Sequence, residues 1–283
     1  MNTNNLETFS GTIVNFVSFL EKNRYSYSTI KAYKKAVYSF FVSTGASPSS
    51  VGESELKAYI EEKQSENISA GFLRQVVSAI KLLFREVFKR DLETEHLYQS
   101  HREYKVPEVL TKEEINRILE ATENLKHRAI ITGLYSGGLR LSEITGLEIS
   151  DINFKNMLIV IRSDAGLKDR EVMLSVRFRD ILIQYLKMYM PKKWLFEGNT
   201  LAKPYSNRSV QQVFANAIAR AGIEKKASVH TLRHSFATHL LESGTDIHII
   251  QDFLGHSSVK TTKMYQQITK ADKHKILSPM DMI

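Results

Sequence analysis

Along the first ninety positions, apolar residues recur at the period of a helix. Phe9, Ile13, Phe16 and Leu20 fall at steps of four, three and four, the stripe of an amphipathic helix. Ile30, Tyr33, Val37 and Phe40 form a second stripe and predict a helix over about 28–43. Gly45-Ala46-Ser47-Pro48-Ser49-Ser50 is a loop by composition. Helices near 54–65 and 69–90 follow, the second turning Phe72, Val76, Ile80, Leu83 and Val87 inward. This block is therefore expected to be a four-helix module.

Residues 91–106 are polar and aperiodic, Pro107 closes them, and they read as a linker. Beyond them Thr111-Lys112-Glu113-Glu114 has the spacing of a capping box, and helices are expected at about 111–122, 126–136 and 141–147. The period then changes. Met157 to Ile161 is rich in β-formers, Asp164 to Asp169 is turn-like, and Glu171 to Leu174 resumes extended chain, which predicts a β-hairpin with Lys168 at or near its tip. From Val176 onward the pattern is helical again, at 176–189, 206–221, 231–243, 246–254 and 258–267, with a short tail helix. The expected fold is mainly α with one small β-hairpin or sheet, in two domains: 1–90 and 107–283, joined by 91–106.

Composition narrows the chemistry. The 283 residues include no cysteine, which excludes disulfides, thiolate metal sites and a cysteine nucleophile, and fits a reducing cytoplasm. No apolar run approaches the ~20 residues that span a bilayer, and the polar N-terminus shows no signal peptide, so a cytoplasmic protein with no membrane partner is expected. Lys and Arg outnumber Asp and Glu by 39 to 31, which favours a polyanion such as nucleic acid as partner. The first 105 residues hold 14 basic and 12 acidic groups, the remainder 25 and 19, so the second block is the more basic. In the first block Lys31, Lys34 and Lys35 lie off the apolar stripe, as do Arg74, Lys81 and Arg85 on the fourth helix. They are candidate phosphate contacts or simply solvated charges.

Four segments place reactive side chains where packing does not ask for them. In Ser136-Gly137-Gly138-Leu139-Arg140-Leu141-Ser142-Glu143, two glycines let the chain turn sharply and Arg140 falls in the first turn of a new helix. A cation there opposes the helix dipole, and Glu143 is placed to orient it. Lys168 is the second. The third is His230-Thr231-Leu232-Arg233-His234, in which His230 and Arg233 share a helix face. His230 and His234 also have a zinc-like spacing, but Thr231 stands where the glutamate of a His-Glu-x-x-His motif belongs and Arg233 would repel a dication, so no metal site is expected. The fourth is Leu254-Gly255-His256-Ser257-Ser258, with Tyr265 nine residues after the histidine. Each segment alone has an ordinary structural explanation.

Their order and spacing together resemble the tyrosine recombinase (phage-integrase-like) family, most closely its short two-domain Xer-type members, over essentially the whole chain. The family's Arg, hairpin Lys, His-x-x-Arg, His or Trp, and Tyr fall on Arg140, Lys168, His230, Arg233, His256 and Tyr265. One departure is Asp164-Ala165-Gly166, where relatives often show Gly-Lys-Gly before the catalytic lysine; Arg170 and the extended run after it keep the register.

The resemblance implies a helical, SAM-like core-binding domain ahead of a catalytic domain, the two clamping duplex DNA at an inverted-repeat site. Tyr265 would attack the phosphodiester, Arg140 and Arg233 would clamp the nonbridging oxygens with His230 and His256 adding donors, His230 would also help take the tyrosine proton, and Lys168 would protonate the leaving 5′-oxygen. No cofactor is implied, because cations do the electrostatic work and the phosphotyrosyl bond conserves the energy of rejoining. Neither a Walker-type loop nor the acidic clusters of a two-metal nuclease occur in the chain. The resemblance also implies a homotetramer on synapsed DNA, monomeric or dimeric when free, with an accessory partner left open. Ile268, Ala271, Ile276, Leu277, Met280, Met282 and Ile283 are apolar residues in a tail too short to build a core. By resemblance that tail, about 268–283, docks on a neighbouring protomer; the other outcome is docking on its own domain. A Xer-like role in resolving chromosome dimers is the first reading, and a mobile-element integrase or a type IB topoisomerase are the alternatives.

Overall fold

The computed structural model describes residues 3–45, 47–48, 51–66, 68–92, 108–162, 169–198, 200, 203–255 and 278–282. The chain divides into two compact units, Met1–Tyr104 and Lys105–Ile283. The expected linker falls almost wholly outside the described residues.

The first unit consists of α1 (Thr3–Lys22), α2 (Tyr27–Thr44), α3 (Glu53–Ser65) and α4 (Ala70–Glu86). Phe16, Leu20, Val37, Phe40, Val76, Ile80 and Leu83 are completely buried, so the stripes visible in the sequence do face one core. The starts of α2 and α4 are set by Ser26 and Ser69, whose hydroxyls accept from the amides of Thr29 and Phe72. Tyr59 joins the core by packing edge-on against Phe40 and bonds its hydroxyl to Ser39 at 2.9 Å. Lys31 and Lys34 lie on the exposed side of α2 with Lys35, and Arg74, Lys81 and Arg85 recur at steps of seven and four along the exposed side of α4. Arg85 is bonded to Glu86 at 2.8 Å. The other five have no ion-pair partner among the described residues.

The second unit contains α5 (Lys112–Glu120), α6 (Leu125–Ser136), α7 (Leu141–Gly146), a 3-10 turn (Ile149–Asp151), β1 (Ile152–Asn153), β2 (Leu158–Ile161), β3 (Arg170–Met173), α8 (Val176–Tyr189), α9 (Asn207–Arg220), α10 (Val229–Glu242), α11 (Ile247–Leu254) and a final 3-10 turn, Pro279–Met282. The capping box at Thr111 is present: its hydroxyl accepts from the Glu114 amide, and the Glu114 carboxylate accepts from the Thr111 amide. Every residue of α6 from Ala129 to Ser136 is buried, because α8, α9, α10 and α7 surround it. Deep in this core the Tyr135 hydroxyl meets Nδ1 of His239 at 2.8 Å. Burial pushes the titration of the tyrosine up and that of the histidine down, so both stay neutral.

The hairpin is part of a three-stranded antiparallel sheet in the order β1-β2-β3, with Ile152 opposite Ile159 and Ile159 opposite Val172. Two-residue β1 is too short to show a period of its own, and only pairing with β2 makes it a strand. At the end of the chain, Ser278–Met282 packs on α6, α8 and α10 of its own unit, with Met280 0% exposed. Ser278 donates to the Ser136 carbonyl at 2.9 Å. The Asp281 carboxylate accepts from the Val176 and Arg177 amides at 2.9 and 3.0 Å, an anion at the N-terminus of α8. The apolar side chain thus finds its surface within the same molecule. Residues 268–277 lie outside the described ones.

Candidate active site

The site is assembled at three chain reversals. After α6, Gly138 adopts φ +59°, a left-handed conformation in which a Cβ would stand 2.4 Å from the Phe236 ring. This turn delivers Arg140, which is the residue capping α7 rather than part of its first turn, as the sequence had suggested. Glu143 occupies the first turn, where its charge suits the helix dipole. Its carboxylate accepts from the Arg140 amide at 2.7 Å and from the Arg140 guanidinium at 2.7 Å.

The second reversal leads into α10, which starts at Val229, so His230 lies exposed in its first turn and Arg233 lies one turn on, only 8% exposed. Arg233 donates Nη1 to the Gly138 carbonyl at 2.7 Å and Nη2 to the Leu254 carbonyl at 2.5 Å. Burial pushes its titration down to about 9, with the Arg140 and Arg170 cations adding to the shift and Glu143 opposing it.

The third reversal is the end of α11. Gly255, at φ +59°, closes the helix, and the last carbonyls of a helix lack partners inside it. Here three arginines supply them. The carbonyls of Phe253, Leu254 and Gly255 accept from Arg170 at 2.8 Å, Arg233 at 2.5 Å and Arg140 at 3.0 Å. Arg170 also binds both Glu143 oxygens at 2.8 Å each. Burial alone would raise the Glu143 carboxyl, yet the bonds from Arg170 and Arg140 hold it at about 2.

Of the sequence-derived candidates, Arg140 and Arg233 therefore converge through the Glu143 carboxylate and the α11 end, and His230 sits one turn from Arg233 on α10. His256 follows Gly255 directly; it, Tyr265 and Lys168 lie outside the described residues. Sequence reasoning missed the part played by Arg170. Its signal was there: Arg170 shares the inward face of β3 with Val172, which is completely buried, and an inward arginine needs a reason. Chemically, three guanidiniums around one carboxylate form a cation-rich pocket with spare donors. In the bonds above, Arg140 and Arg233 each use two of five N–H groups, leaving donors to hold a phosphoryl oxygen. Among the described residues, no His, Asp or Glu cluster is placed to hold a metal ion, and no helix is long and apolar enough to cross a membrane.

Residues 108–272 match the phage integrase family and residues 13–94 match the phage integrase N-terminal SAM-like domain. A tyrosine recombinase XerA of Pyrococcus horikoshii is 31% identical over 264 residues, covering 92% of this chain and 90% of its own length. A crystal structure of XerA recombinase shares 28% identity with a TM-score of 0.53, covering 92% of this chain and 94% of the other. The XerH site-specific recombinase, bound to palindromic difH substrate in a post-cleavage complex, shares the fold at a TM-score of 0.74 and 23% identity, over 88% and 80% of the two chains. With its helical N-terminal unit, its arginine-rich pocket and a family match over more than half its length, this chain belongs to the phage integrase family, the tyrosine recombinases, which are DNA strand-transferring enzymes.

Proposed function

We propose that this recombinase cuts and rejoins duplex DNA at one inverted-repeat sequence, and that in the cytoplasm it resolves chromosome dimers at a dif-like site during chromosome partition and cell division. One observation carries the chemical part of the reading: Arg140, Arg170 and Arg233 meet three consecutive carbonyls at the end of α11, the point from which the chain runs on to His256 and Tyr265.

In this reading the Tyr265 hydroxyl attacks the scissile phosphorus and passes its proton to His230. Arg140 and Arg233 hold the nonbridging oxygens as charge accumulates on them, and His256 adds a donor. Lys168 gives a proton to the departing 5′-oxygen, leaving a 3′-phosphotyrosyl bond. Attack by a 5′-hydroxyl of the partner strand returns the tyrosine and seals the exchanged strand. The bond count is unchanged throughout, so neither ATP nor a cofactor is called for. Lys31, Lys34, Lys35, Arg74, Lys81 and Arg85 hold the backbone of the DNA through the first unit. Four protomers act on two synapsed sites, and Ser278–Met282 leaves its own unit to bind the next protomer.

The test is covalent trapping of the full chain on random-sequence and genomic duplex fragments, followed by sequencing. The expected result is one enriched inverted repeat at a single chromosomal location outside any mobile element. Adducts spread without sequence preference would indicate a topoisomerase-like activity instead, and enrichment at the ends of a mobile element would indicate an integrase.

A further inference from the structure

Arg170 belongs to none of the six positions carried by the family resemblance, yet its side chain makes three hydrogen bonds in the pocket where those of Arg140 and Arg233 make two each. Its Nη1 and Nη2 engage Glu143 bidentately, its Nε donates to the Phe253 carbonyl, and its side chain lies where a Cβ on Gly255 would fall, 2.9 Å from Cδ. The side chain is 17% exposed. Two residues upstream in the sequence is Lys168.

An ordinary structural ion pair is a poor account of this. Burying a guanidinium and a carboxylate costs desolvation that an apolar pair at the inward face of β3 would avoid. What the charge pair does that an apolar pair cannot is divide the Glu143 carboxylate. With both oxygens taken by Arg170, Glu143 holds Arg140 through one guanidinium nitrogen and the backbone amide, so the other terminal nitrogen of the Arg140 fork reaches the Gly255 carbonyl and its remaining N–H groups stay available. The same side chain fixes the first of the three carbonyls that end α11.

We infer that Arg170 is a positioning residue of the strand-cutting reaction: acting through Glu143 and the Phe253 carbonyl, it sets the Arg140 fork and the point of departure of the His256–Tyr265 segment without itself touching DNA. The inference rests on the reading of Arg140 as clamp and Tyr265 as nucleophile. It makes the hairpin, α7 and α11 one mechanical unit.

The test uses the full chain and a nicked duplex bearing the sequence that wild-type trapping enriches. Adduct formation is followed against DNA concentration for wild type, Arg170→Ala, Arg170→Lys, Glu143→Gln and the Arg170→Ala/Glu143→Gln pair. The half-saturating DNA concentration should stay within about twofold of wild type, while the maximal rate of Arg170→Ala falls roughly 10²-fold, the scale of an ångström-sized misplacement. Arg170→Lys, which keeps the charge but not the fork, should recover less than about a tenth of that loss. The double variant should be no slower than its slower parent, since both changes break one link. Should Arg170→Ala fail to fold, as read by its thermal transition, Arg170→Lys carries the same comparison. An Arg170→Ala or Arg170→Lys maximal rate near that of wild type, a loss confined to DNA binding, or single effects that multiply in the double variant would each overturn the inference. Wild type forming no adduct on any duplex would instead overturn the recombinase reading beneath it.

Discussion

The Arg233 guanidinium donates to the carbonyl of Gly138 at 2.7 Å, so a buried cation is held by a residue in the left-handed region, at φ +59°. The turn and the clamp therefore depend on one another. Gly138→Ala would push a methyl group to 2.4 Å from the Phe236 ring and strain the backbone as well. Overpacking costs roughly 1–3 kcal/mol and the left-handed conformation about 1–2 more. Equilibrium urea unfolding should show a loss on that scale, and adduct formation should fall further than the unfolded fraction explains. A variant as stable and active as wild type would refute this coupling.

Removing catalytic groups should separate binding from chemistry. Tyr265→Phe is expected to bind target DNA as wild type does and to form no covalent adduct. Arg140→Ala and Arg233→Ala should each slow adduct formation by several orders of magnitude, because losing a single preorganised donor costs about 10²–10³. Lys168→Ala should be rescued by a substrate with sulfur at the 5′-bridging position, a leaving group that needs no proton. Rescue at Lys155 or Lys187 instead would move the general acid there.

Acid stability should report on Glu143. Its carboxyl titrates at about 2 in the folded chain against an ordinary 4.5. A lowered carboxylate stabilises the fold fully above the unfolded value, and that contribution is lost as pH falls from about 4.5 toward 2. The urea midpoint of wild type should therefore drop across this window more steeply than that of Glu143→Gln. Parallel curves would mean that the arginine contacts are not made in solution.

The tail offers a stability test of its own. Met280 is fully buried in the second unit, and truncating a buried methionine to alanine costs about 2–5 kcal/mol. Met280→Ala should lower the unfolding free energy by an amount in that range, and Asp281→Asn by about 0.3–1 kcal/mol, from the lost charge at the start of α8. Truncation after Lys270 should destabilise the free protein at least as much as Met280→Ala. No loss in any of the three would show the tail detached in solution.

Salt dependence addresses the basic stripes of α2 and α4. DNA affinity should fall linearly with salt on logarithmic axes, at a slope set by the number of phosphates contacted. Neutralising Lys34, Lys35, Arg74 and Lys81 together should lower affinity and flatten that slope. An unchanged slope would leave these residues as solvated charges.

What the sequence determined by itself was local. The helical period in the stripes from Phe9 to Leu20 and from Phe72 to Val87, the capping box at Thr111, the change of period after Met157 and the two boxes around Arg140 and Arg233 are all written within a few turns of chain. The mainly helical fold with a small sheet was legible for that reason. Tertiary structure decided the rest. Strand β1 exists only because β2 pairs with it. The partners that organise the pocket lie 83, 95 and 115 residues apart, from Arg170 to Phe253, Arg233 to Gly138 and Arg140 to Gly255, and no periodicity spans such distances. The bland pairing of Arg140 with Glu143 became one link of a three-arginine cluster because the last carbonyls of α11 lack partners within the helix, and chain packing alone determines which donors reach them. The burial of Met280 in its own unit likewise depends on tertiary structure, which presents an apolar surface to a short tail that cannot bury its side chains alone.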